Sequence, residues 1–159
     1  MKGRLFIVLL CLTACADSNE MTLVVQHQEH HEIYKEVQQL KAGDTFSLTW
    51  VHSVEHTPWR ETYQLTEDGE LELIETAFQS FGAGVPHQKG EMTVENGEVI
   101  VRNLNERIDA LRWIHSHHVG FELTVDGEPA FQTEDLPHLE KIEIRALPQT
   151  NQKSVLEKR

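Results

Sequence analysis

His52 and Glu61 are the residues whose types and spacing most readily suggest chemistry. In the segment Thr45–His52 the apolar residues Phe46, Leu48 and Trp50 alternate onto one face of a strand, and His52 has their parity. In Arg60–Leu65, Tyr63 and Leu65 share a face with Glu61. Pairing these strands across the loop Ser53–Trp59, with Trp50 against Tyr63 and Leu48 against Leu65, sets His52 against Glu61. Opposed Cβ atoms then lie about 4.5–5.5 Å apart, close enough for an imidazole–carboxylate contact. Such a pair can serve a binding site, or it can be an ion pair that merely satisfies two polar groups of the fold.

Other constellations are weaker. His52-Ser53-Val54-Glu55-His56 matches the H-x-x-E-H string of inverted zinc peptidases, which works only on a helix. Here a strand pattern leads into it and Thr57-Pro58 follows, which disfavours helix, so the match reads as accidental. Ten histidines still invite a metal reading. His27, His30 and His31 cluster early. His115 and His117 share the parity of Trp113, Val119, Phe121, Leu123 and Val125, so a set of His115, His117 and His52 is the alternative to a metal-free domain. Nucleophilic catalysis finds no support: Ser80-Phe81-Gly82-Ala83-Gly84 is not a G-x-S-x-G elbow, and alternation turns Ser53 away from His52. Gly82-Ala83-Gly84-Val85-Pro86 lacks the phosphate-loop pattern and reads as a glycine-permitted corner. No acid–base–nucleophile set assembles, so neither an enzyme nor a bound cofactor is expected.

The elements that must carry these residues begin after a secretory signal. Met1-Lys2-Gly3-Arg4 is a positive head, and Leu5–Leu12 an apolar run too short for a bilayer-spanning helix, which needs roughly 20 residues. Leu12-Thr13-Ala14-Cys15 resembles the lipobox of bacterial lipoproteins. That implies cleavage after residue 14, a diacylglycerol and palmitate-type acylation on Cys15, and a lipid anchor on the outer face of the cell membrane. Two or more acyl chains hold stably where one holds marginally. Residues 15–21 form the anchored cysteine and a short polar linker, 22–147 a single domain and 148–159 a polar tail. At full extension Ala16–Glu20 reaches only about 17 Å, so the domain should sit close to the membrane.

Cleavage leaves 145 of the 159 residues and takes the 14 basic residues to 12, against 26 acidic, a net charge of −14. So acidic a chain is a poor partner for nucleic acid. Cys11 leaves with the signal and Cys15 carries lipid, so no cysteine remains for a disulfide.

Between the ends the pattern is all-β. Asp68-Gly69-Glu70, Asn96-Gly97-Glu98 and Asp126-Gly127-Glu128 are hairpin-turn signals between strand-like runs. Strands are expected over Thr22–Gln26, Thr45–His52, Arg60–Thr66, Glu70–Phe78, Met92–Glu95, Val99–Arg102, Trp113–Val125 (with a break at Gly120) and Lys141–Ala146. Ile33, Val37 and Leu40 fit strand or helix, with strand preferred; Leu104–Leu111 allows a short helical turn. The expected architecture is a small antiparallel β-sandwich or partly open barrel.

Three features together resemble a bacterial and archaeal family of unknown function, DUF1850. They are Phe46-Ser47-Leu48-Thr49-Trp50-Val51-His52-Ser53-Val54, then Glu61, then the corner Phe81-Gly82-Ala83-Gly84-Val85-Pro86. The resemblance is firm over Gly43–Pro86 and looser from Met92 to Ala146, where Leu123-Thr124-Val125-Asp126-Gly127 is similar to a late hairpin of the family. It places His52, Ser53, Glu61, Gly82, Gly84 and Pro86 at motif positions and supplies no catalytic residues. Members are often encoded beside, or fused to, permeases of TAXI-type TRAP transporters. The resemblance therefore implies a non-catalytic accessory or binding module of solute uptake, with a permease or solute-binding protein as partner.

Overall fold

Alternating apolar residues fold most of the chain into strands, and the computed structural model describes residues 20–79 and 89–148. In chain order the strands begin with β1 (Met21–His27), β2 (Ile33–Leu40), β3 (Thr45–Val51), β4 (Pro58–Leu65) and β5 (Leu71–Phe78). They continue with β6 (Glu91–Glu95), β7 (Glu98–Ile108), β8 (Leu111–Ile114), β9 (Glu122–Val125), β10 (Glu128–Gln132) and β11 (Lys141–Pro148). They make two antiparallel sheets, ordered β2-β1-β11-β8 and β10-β9-β3-β4-β5-β7-β6. Leu23, Val25, Ile142 and Ile144 of the first sheet share one buried cluster with Phe46, Leu48, Leu73 and Leu123 of the second. The result is a β-sandwich rather than a barrel.

Ile33–Leu40 is a strand, as preferred from its pattern, but two expectations change and one strand, β10, goes beyond them. Trp113–Val125 is not one strand: β8 and β9 lie in different sheets, and His115 and His117 fall in the connection between them. Leu104–Leu111 is not helical. Asn103 and Asn105 adopt positive φ on either side of buried Leu104, which kinks β7 within an otherwise extended run. Asparagine tolerates that conformation, and its local break is what blurred the period. Strand β10 follows directly from the Asp126-Gly127 turn, where both residues have positive φ. Its single buried apolar residue, Phe131, gave alternation too little to work with.

The registers define two poles. Met21 pairs with Pro148, so both ends of the described fold lie at one pole. At the other, His27 pairs with Ile142, Lys141 with Ile114, and Trp59 with Phe78. The turns at this second pole carry every histidine among the described residues: His27, His30, His31, His52, His56, His115, His117, His118 and His138.

Candidate functional site

Strands β3 and β4 are neighbours, and His52 and Glu61 line one cavity, but the expected pairing is wrong. Glu61 stands opposite Leu48, Trp50 opposite Trp59 and Phe46 opposite Tyr63. His52 lies four residues beyond Glu61's partner Leu48, roughly 13 Å along an extended strand. It falls past the end of β3, and its N–H donates to the Thr57 carbonyl at 2.9 Å. Aromatic pairing explains this tighter register. Trp50 and Trp59 stack with ring centroids 6.1 Å apart, and Phe46 and Tyr63 at 5.2 Å. The slip is even, so parity survives, and Glu61 remains on the inward face with buried Trp59, Tyr63 and Leu65.

A carboxylate in that stripe needs a partner. The Tyr63 hydroxyl donates to Glu61 Oε2 at 2.6 Å, a short bond of the kind made to an ionised carboxylate. Burial, with the Glu61 charge beside it, pushes the Tyr63 phenol far above its ordinary value. A register shift between Thr62 and Tyr63 marks a bulge in the β4–β5 pairing immediately after Glu61.

The cavity, about 400 Å³, opens between the β3–β4 hairpin and the β8–β9 connection. Trp50, His52, Ser53, Trp59 and Glu61 come from the hairpin; Ile114, Ser116, Val119 and Phe121 come from the other side. Ser53 was expected to face away from His52; it lies beyond β3, where alternation no longer applies, and lines the same cleft. Phe121 links the two sheets, with Trp50 at 6.0 Å and Trp113 at 5.6 Å. Trp59 is 9% exposed and stacks on Phe78 at 4.7 Å, yet its indole Nε1–H is buried without a hydrogen-bond partner among the described residues. From the sequence pattern Trp59 falls in the loop Ser53–Trp59. The signal that could have found it is its mirror position with Trp50 about the hairpin turn. Gly82, Gly84 and Pro86 lie outside the described residues.

The H-x-x-E-H string is a hairpin turn, and the fold builds it twice. The His56 N–H donates to the His52 carbonyl at 2.9 Å, His56 has φ 54°, and His52 Nδ1 accepts the N–H groups of Val54 and Glu55 at 3.4 and 3.3 Å. In the β1–β2 turn the His31 N–H donates to the His27 carbonyl at 3.1 Å and His31 has φ 53°. There His27 Nδ1 accepts from the N–H groups of Glu29 and His30 at 3.0 and 3.1 Å. In both turns the first histidine caps backbone donors, much as an Asx side chain does. Its neutral form therefore carries the proton on Nε2.

His115 is fully buried. Its Nε2–H donates to the Thr133 carbonyl at 2.8 Å, and its Nδ1 accepts the Trp113 indole N–H at 3.3 Å. Burial, aided by nearby His117 and His138, holds its pKa below the ordinary value against the opposing pull of the Thr133 carbonyl. With both ring nitrogens committed, His115 has no lone pair free for a metal. His117 Nε2 donates to the Leu136 carbonyl at 2.9 Å. His115 and His117 are neighbours, 5.5 Å between ring centroids, whereas His52 belongs to the cleft. Among the described residues no group of three or more His, Cys, Asp or Glu side chains is arranged to hold a metal.

Two packed antiparallel sheets with a cleft at one pole define a small β-sandwich domain. The chain belongs to the family described as a domain of unknown function, DUF1850, whose pattern matches residues 46–131. That span runs from the first core aromatic of β3 to the last of β10 and includes the β3–β4 hairpin from Phe46 onward. No curated protein and no solved structure gives a significant match to the chain.

Proposed function

We propose that this protein is an extracytoplasmic lipoprotein whose β-sandwich is a non-catalytic binding module accessory to a TRAP-type solute uptake system. The observation that carries the reading is the inward-facing Glu61 carboxylate, held by Tyr63 and lining an aromatic cleft where the sheet pattern calls for an apolar residue. Its partners in the cleft, His52 and Ser53, are motif positions of the family resemblance. A concave site with an apolar body and a few fixed polar groups is the usual form of a small-molecule site. His52 Nδ1 is committed to capping its turn and Glu61 Oε2 to the Tyr63 hydroxyl, which favours holding a ligand over moving protons.

The lipobox over Leu12–Cys15 supports the anchor, and the resemblance supports the transporter partner. Cys15→Ser should abolish incorporation of labelled lipid and release the protein from the membrane. Affinity capture with the full chain should retain a TRAP permease or its solute-binding protein, and Glu61→Gln should weaken that capture or the ligand binding. A Cys15→Ser variant that stays membrane-bound and still incorporates lipid would refute the anchor. Capture of neither component, with no ligand response at the cleft, would refute the accessory role.

The crowding of nine described histidines at one pole favours a second reading, a metal-binding surface protein. His117 and His138 lie 4.8 Å apart, His118 and His138 5.3 Å, and His27 and His30 4.5 Å. Zinc or nickel calorimetry tests it: a tight stoichiometric site lost on His138→Ala would support this reading over the first.

A further inference from the structure

Buried indole N–H groups nearly always find an acceptor, and Trp59 Nε1 has none among the described residues. Of its ring neighbours at 4.7, 6.1 and 5.6 Å, Phe78 and Trp50 carry no acceptor atom, and the Nδ1 acceptor of His52 is already taken by the N–H groups of its turn. Glu61 Oε2, on the same inward stripe, already takes the Tyr63 hydroxyl. The atom is closed to bulk water and Trp59 lines the cleft, so a partner that enters there has to shift the lining to reach it. Half-buried Trp50, stacked over Trp59, is the side that can yield.

His52, which lines the same cleft, supplies a second donor. Because His52 Nδ1 accepts backbone N–H groups, its neutral ring carries the proton on Nε2. Around these donors the cleft is aromatic and aliphatic, with Trp50, Phe121, Ile114 and Val119. No lysine or arginine is among the described residues lining the cleft, and the chain as a whole carries a net −12. An anionic acceptor would meet that repulsion, and a neutral oxygen would not.

Resting on the reading of the cleft as a binding site, we infer that it takes a small uncharged molecule with a flat or ring-shaped body and a carbonyl-type oxygen. That oxygen accepts the Trp59 Nε1–H while the body lies against Trp50 and Phe121.

Three isosteric probes test the class on the full chain labelled with nitrogen-15, whose three tryptophans give three separate indole N–H signals. Benzamide has a neutral oxygen, benzoate an anionic one, and benzamidine donors in their place. Trp59→Phe assigns the Trp59 signal; should that variant not fold, Trp50→Phe and Trp113→Phe assign it by elimination. Benzamide should move the Trp59 signal downfield and saturably, with Trp50 following. Benzoate should bind roughly tenfold more weakly, about 1.4 kcal/mol, and benzamidine should give no downfield shift. Benzoate binding as tightly as benzamide, or benzamidine shifting Trp59 equally, would overturn the ligand class while leaving the cleft a binding site. No saturable response at Trp50 or Trp59 to any probe would overturn both.

Discussion

His115→Gln should remove a pH-dependent part of the stability. The imidazole is sealed in the core, and protonating Nδ1 would set an N–H against the Trp113 indole N–H that now donates to it. Its pKa is lowered by burial, so the folded value lies below the unfolded value of about 6.5. Between those two values the unfolded chain holds a proton that the folded chain lacks. Stability therefore falls as the pH falls through that window, by about 1.4 kcal/mol per pH unit, and is untouched above it. Glutamine keeps a donor for the Thr133 carbonyl but no acid-sensitive ring, and should cost about 1–3 kcal/mol at neutral pH. Urea unfolding of both proteins, followed by tryptophan fluorescence from about pH 7.5 to about pH 5, reads the difference. Asp109, which the Arg112 guanidinium holds at about 2, titrates alike in both and drops out of the comparison. The gap between wild type and variant should narrow by about 1.4 kcal/mol per pH unit once below about 6.5. A gap that stays constant to about pH 5 would refute the account of His115 as a buried neutral histidine.

Two further predictions concern the frame around the cleft. Gly90 has φ +88°, and a Cβ there would come within 2.5 Å of the Arg102 carbonyl oxygen and 2.9 Å of Val101 Cγ1. Gly90→Ala should thus destabilise the β6 edge well beyond the about 1–3 kcal/mol of backbone strain alone. Gly97→Ala, with a similar φ and nothing within 4 Å, should show only the strain, so equal losses in thermal melts would contradict the contact argument. Tyr63→Phe should cost about 1.5–3 kcal/mol, as a hydrogen bond to a charged group, and less in a Glu61→Gln background. Strictly additive losses in that double-mutant cycle would mean the two side chains are not coupled.

Parity was the most legible property of this sequence, and register the least. Alternation put Glu61 on the same face as Tyr63 and Leu65, and that held because a slip of an even number of residues leaves the face unchanged. The slip itself was set by the stacking of Trp50 on Trp59 and by a turn whose cap is a histidine ring, neither of which hydrophobic periodicity encodes. Apolar parity likewise ran β8 and β9 together, since Trp113 and Phe121 both pack inward, although each serves a different sheet. The resemblance singled out His52, Ser53 and Glu61, and the cleft brings those three to one place. The orphaned Trp59 donor was not legible, because only packing reveals which polar atoms go without partners.

The pairing of Met21 with Pro148 leaves the two ends of the described fold about 4.5–5.5 Å apart at their Cα atoms. Both lie across the sandwich from the cleft. A neighbour joined at either end would extend away from the cleft, so the same fold can ride on another polypeptide without remodelling that end. It could also be circularly permuted by a short bridge between those ends and a cut in the exposed Asn96-Gly97 turn. The unit is thus portable: its chain ends and its cleft are on different sides of one small sandwich.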